Sequence, residues 1–162
     1  MLDAIRHQKK PVSASSLASK FNVSRQVIVG DVALLRARGN EIISTARGYI
    51  IPNFGEAHRF LGKVVCQHSP DDTKHELYLI VDLEAVIVNI IVEHGVYGEI
   101  TGSLNISSRK DVDDFINKVK SAEVKLLSEL TMGIHLHTIA CRDKAHFEEV
   151  SEVLKANGYL YH

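Results

Sequence analysis

Between residues 63 and 141 the hydrophobic pattern repeatedly changes period, and that alternation limits the fold more than any single motif. Residues 63–67, 85–92, 99–106 and 134–141 are apolar, β-branched runs, whereas 71–83 and 108–122 place apolar side chains three and four residues apart. The order is β-α-β-β-α-β. Two split βαβ units of this kind close an antiparallel sheet with two helices on one face, so the expectation is a ferredoxin-like α+β domain. Residues 144–157 add a third helix, and Gly158-Tyr159-Leu160-Tyr161 an edge strand. Such a fold assigns no function by itself.

The chain ahead of this domain reads differently. In residues 11–39, Ser13 caps a helix carrying Leu17, Ala18 and Phe21, the chain turns at Asn22-Val23, and Ser24 caps a second helix that ends at Gly39. This is helix-turn-helix spacing. Leu17, Phe21, Val23, Ile28 and Leu35 are expected in its core, leaving Arg25, Gln26 and Val29 free to enter a major groove. Arg25 and Gln26 carry planar donors that match guanine and adenine edges, while Lys20 and Ser24 suit phosphate contacts that fix register. Residues 41–44 and 49–51, joined by Thr45-Ala46-Arg47-Gly48, read as a wing with Arg47 at its tip, against the backbone or in the minor groove. The partner this implies is a double-stranded DNA operator.

Charge supports that division. The 162 residues carry a formal net charge of −1, but through Asn53 eight Lys or Arg face only Asp3, Asp31 and Glu41, so a basic module precedes an acidic one. The organisation expected is a winged helix-turn-helix over 1–53, a linker over 54–61 and a regulatory domain over 62–162. Hydrophobic residues make up 45% of the chain and charged ones 24%, the balance of a globular protein with a packed core. With no apolar run long enough for a membrane span and no signal region, the expected location is cytoplasmic. Cys66 and Cys141 sit in strand-like runs and read as buried thiols without chemistry.

Nine histidines are present, and their spacing decides which matter. His135 and His137 flank Leu136 on a strand, so both rings share one face about 7 Å apart along the chain. His68 closes the first strand, next to the fourth in the expected order, and the helix begun at Ser69-Pro70-Asp71-Asp72 carries His75 and Glu76. Three imidazoles and a carboxylate suit a divalent transition metal such as Ni, Zn, Fe or Mn. His75 and Glu76 compete, because adjacent helical positions point about 100° apart. Paired histidines on a strand are also found hydrogen-bonded or exposed without metal. The hairpin containing Glu93, His94 and Tyr97 either lines a ligand pocket or only turns the chain, with Tyr97 covering the core.

These segments resemble the nicotinate-responsive transcription repressors of NAD biosynthesis, which join a winged helix to the three-histidine "3H" domain. The likeness runs through Val23-Ser24-Arg25-Gln26-Val27-Ile28-Val29, Arg47-Gly48-Tyr49, His68-Ser69-Pro70, Val96-Tyr97-Gly98-Glu99-Ile100 and Gly133-Ile134-His135-Leu136-His137-Thr138-Ile139. It departs at Gly95, where the family is expected to carry proline. The resemblance implies His68, Glu76, His135 and His137 as metal ligands and nicotinic acid or nicotinamide as corepressor. A homodimer matching a palindromic operator is expected. A metal-dependent regulator in which the ion is the signal is the alternative. A hydrolase using metal-bound water lacks a general base beside the ligands, so the chain reads as a non-enzyme.

Overall fold

The computed structural model describes residues 1–162 apart from the Glu56 side chain, and it divides into two units, Met1–Asn53 and Phe54–His162. The first unit contains α1 (Leu2–Arg6), α2 (Ala14–Phe21) and α3 (Arg25–Ala37), followed by β1 (Ile43–Thr45) and β2 (Gly48–Ile50). Ser13 and Ser24 both act as N-caps, accepting from the backbone N–H of Ser16 and Val27. Between the helices Asn22 adopts a left-handed φ of 52°, which asparagine tolerates better than other residues with a Cβ. Ile5, Leu17, Ile28, Val32 and Ile42 fill the core.

Two residues expected there lie outside it. Phe21 and Val23 are each 39% exposed, because they flank Asn22 where the chain reverses over the surface. Leu35 is only partly buried against the cluster, whose α3 contribution comes from Ile28 and Val32, one helical turn apart. The wing is pinned at two points, to Val12 ahead of α2 and to Arg36 on α3. Val12 and Tyr49 exchange backbone hydrogen bonds of 2.8 Å, and Arg36 donates to the Ile42 carbonyl at 2.6 Å and to Ser44 Oγ at 2.8 Å. Arg36 is thus a structural cation.

The second unit runs β3 (Phe60–Gln67), α4 (Thr73–Asp82), β4 (Val86–His94), β5 (Gly98–Ile106), α5 (Arg109–Ser121), β6 (Ile134–Cys141) and α6 (Lys144–Ala156). The class is α+β, in the order read from the periods. The segment 54–61 carries a single 3-10 turn over Glu56–His58 and the first residues of β3. The four strands pair antiparallel in the order β3-β6-β4-β5, so each βαβ unit is split by an inserted strand. The first strand lies at the edge of the named strands, whereas the usual ferredoxin-like order holds it inside. The C-terminal strand shortens to one bridge, Cys66 to Leu160, with Gln67 N–H bonded to the Tyr159 carbonyl at 2.8 Å. One core packs α4, α5 and α6 on the sheet face that bears Val64, Cys66, Ile87, Leu104 and Ile139.

Candidate functional site

The pairing of β3 with β6 builds the centre of the second unit. Its register sets Cys66 opposite His135 and Val64 opposite His137, so strand alternation turns both histidines toward the helix-covered face. His68 follows directly after β3. It meets β6 because Gly133, with φ of +88°, lies against it: a Cβ there would stand 2.3 Å from the His68 carbonyl oxygen. From above, α4 supplies Glu76, which is fully buried, while its neighbour His75 is exposed and bonds Tyr159 through Nδ1 at 2.6 Å. Of the two adjacent positions, Glu76 is the one whose side chain meets the imidazoles.

All three imidazoles direct Nε2 at that carboxylate. The distances are 2.7 Å from His68, 3.3 Å from His135 and 3.5 Å from His137. Every Nδ1 meets a backbone carbonyl, of Ser69, Gly133 and Asn89 respectively, at 2.8 Å. A carbonyl only accepts, so Nδ1 must carry the ring's hydrogen, and a neutral ring would then aim a bare lone pair at an anion. Two arrangements remove that repulsion: a second proton on the ring, or a cation shared by Nε2 and carboxylate. Carbonyl-fixed Nδ1–H groups with converging Nε2 atoms are the support that metal-binding histidines use.

His146 shows what a structural histidine looks like in the same unit. It is equally buried, but its Nδ1 accepts from Arg142 N–H and its Nε2 donates to the Leu83 carbonyl at 2.7 Å. One proton satisfies both nitrogens. In the cluster, burial favours the neutral forms, yet the Glu76 charge and its hydrogen bonds raise the pKa of His68 and His137 above the ordinary histidine value. Burial would likewise raise Glu76, but the surrounding imidazoles overcome it and hold the carboxyl well below the usual range.

A cavity of about 230 Å³ adjoins this cluster. His68, Glu76, His135 and His137 line part of it, and Leu77, Ile90, Leu104, Phe115 and Leu127 supply apolar wall. Thr73, Ser103, Ser128 and Lys125 add polar groups to the lining. Thr73 Oγ1 is buried and has no hydrogen-bond partner. A buried hydroxyl without a partner is uncommon and sets Thr73 apart from the other polar residues of the lining. Sequence reasoning missed this lining, which comes from separate helices, strands and the loop after α5.

The hairpin residues lie elsewhere. His94 Nδ1 accepts from the backbone N–H of Val96 and Tyr97, so it shapes the β4–β5 turn. Tyr97 is 78% exposed against the His94 ring, which excludes the expectation that it covers the core. None of Glu93, His94 and Tyr97 lines the cavity at the histidine cluster; Glu93 instead lines a separate one with Lys63, Glu99 and Thr131.

In the first unit Lys20, Ser24, Arg25 and Gln26 are all exposed, gathered at the end of α2 and the start of α3. Arg47 occupies the β1–β2 turn, half-buried, its N–H donating to Thr45 Oγ1. Two helices meeting through a capped turn, followed by a short two-stranded wing, form a winged helix-turn-helix.

Family comparison agrees with both halves. The HTH domain model matches residues 1–50 and the 3H domain model residues 62–162. Transcription repressor NadR of Bacillus subtilis is 37% identical over 158 residues, spanning 96% of this chain and 88% of that protein. The probable transcription repressor NiaR of Thermotoga maritima is 40% identical over 156 residues, with the same shares. The chain belongs to the transcription repressors that join a helix-turn-helix to a 3H domain. It is a DNA-binding regulator rather than an enzyme. Among the described residues no helix is long and apolar enough to cross a membrane.

Proposed function

We propose that this protein represses genes of NAD synthesis or niacin uptake, with nicotinic acid or nicotinamide as corepressor bound beside a divalent metal in the second unit. The observation that carries the reading is the convergence of three carbonyl-fixed imidazoles on one buried carboxylate in the wall of a largely apolar cavity. His68, Glu76, His135 and His137 would hold the ion. Nitrogen and carboxylate donors suit Ni, Zn, Fe or Mn, and such an ion supplies a Lewis-acidic point for a pyridine nitrogen or a carboxylate. The apolar walls suit a flat ring, and a rotation of the Thr73 side chain, whose hydroxyl has no partner, would give that ring a polar contact. The cavity therefore takes precedence over Glu93, His94 and Tyr97 as the ligand site.

On the DNA side, Arg25 and Gln26 read base edges, Lys20 and Ser24 hold phosphates, and Arg47 lies along the wing contact. A homodimer would place two recognition helices about one DNA turn apart on a palindromic operator, and ligand binding would favour that geometry over others. Operator binding is measured with metal-loaded and chelated protein, with and without nicotinate. Nicotinate should tighten binding only when metal is present. Tightening by metal alone, unaffected by nicotinate, would favour the ion as the signal. Binding indifferent to both would end the sensing proposal.

A further inference from the structure

We infer that Cys66 is a ligand of the same centre, so that imidazole, carboxylate and thiolate hold the ion together. This rests on the metal reading above. Cys66 is fully buried, and its Sγ, a Glu76 carboxylate oxygen and a ring nitrogen of His135 all lie within 4.8 Å of one another. The β3–β6 register places it directly across from His135, and alternation gives it the cluster face of the sheet. Metal–sulfur bonds of about 2.3 Å and metal–nitrogen bonds of about 2.1 Å keep two ligand atoms of one ion within roughly 4.4 Å. Three donors already gathered within 4.8 Å can close on one ion by rotation of the Cys66 and Glu76 side chains.

Cys141 serves as the internal control. It is also fully buried on β6, but its register partner is Phe60, at the far end of β3 from Cys66. A thiolate changes what the centre selects. Nitrogen and oxygen donors alone accept Mn or Fe readily, whereas a sulfur donor shifts preference toward Zn, Co and Ni. The exchange needs no oxidant: the thiol proton leaves to the buffer as the metal–sulfur bond forms.

The test titrates Co(II) into reduced full-length protein under anaerobic conditions, using the unaltered chain, Cys66→Ser and Cys141→Ser. An intense near-ultraviolet sulfur-to-cobalt band should accompany the visible cobalt bands, vanish in Cys66→Ser and persist in Cys141→Ser. Visible bands without the sulfur band in the unaltered chain would overturn the thiolate ligand and leave the metal centre standing. No cobalt binding at all would overturn both. X-ray absorption of the Zn-loaded unaltered chain requires no variant: one sulfur neighbour near ~2.3 Å is expected, and a shell of nitrogen and oxygen alone rejects the inference.

Discussion

The two units carry their functional residues in opposite ways. In Met1–Asn53 the candidate DNA-contacting side chains Lys20, Arg25 and Gln26 stand in solvent, while the core beneath is made by other residues. In Phe54–His162 the cluster is itself core: Glu76 is 0%, His135 1% and His137 2% exposed. Binding by the first unit can therefore be altered with little cost to folding. In the second, the charged cluster sits beside Leu77 and Ile90, and any change to it acts on stability as well.

The largest effect should come from Gly133→Ala. The added Cβ meets the His68 carbonyl at 2.3 Å on a backbone with φ of +88°, so strain and steric overlap combine. Destabilisation of the second unit by about 3 kcal/mol or more is expected in urea unfolding followed by circular dichroism, together with loss of metal binding. Gly95→Ala has nothing within 4 Å and should stay within about 0.5 kcal/mol. Equal effects at the two glycines would remove the claim that close β3–β6 approach assembles the cluster.

A second effect appears as pH dependence of the chelated protein. His68 and His137 have folded pKa values raised above 6.5, so their contribution is full below 6.5 and is lost as pH rises through the raised values. Glu76 is depressed below 4.5, so its contribution is present above 4.5 and is lost as pH falls through the lowered value. Stability should be greatest between these limits, with slopes no steeper than about 1.4 kcal/mol per pH unit for each proton. Metal should reverse the upper limb, because its ligands must give up protons. A flat chelated curve from pH 6 to 9 would mean the rings carry no second proton.

Arg25→Ala tests the opposite character of the first unit. Operator affinity should fall by about 1–3 kcal/mol with relaxed preference at one base position, and the unfolding midpoint should not move. A large loss of stability would show that Arg25 is bound into the fold and would erase the contrast between units.

What could be read from the sequence follows the same divide. The helix-turn-helix was legible because its determinants are local: Ser13 and Ser24 cap, and Asn22 turns. His135 and His137 were legible because strand alternation fixes their common face. Choosing Glu76 over His75 needed the packing of α4, since neighbouring helical positions differ only in direction. Cys66 and Cys141 are the buried free thiols their strand-like runs suggested; that Cys66 lies near Glu76 and His135 needed the β3–β6 register. The cavity was not legible: Thr73, Ser103, Phe115 and Lys125 belong to separate elements, and no local period links them. Phe21 and Val23 misled because hydrophobicity does not reveal that the chain reverses between them.

The smallest expected effect separates two kinds of residue within the DNA-binding turn. Lys20 is exposed at the end of α2, so Lys20→Ala should weaken binding to every DNA sequence alike and lower the salt slope by about 1. Its folding stability should be unchanged. Ser24 differs, because its hydroxyl already accepts from Val27 N–H as the α3 cap. Ser24→Ala should cost about 1 kcal/mol of folding stability in addition to any phosphate contact, whereas Ser24→Asp keeps the cap and places an anion against the phosphate. If Ser24→Asp preserves stability and loses DNA binding while Ser24→Ala loses some of both, Ser24 serves fold and ligand at once. It would then be the one position in the first unit that behaves like the buried cluster of the second.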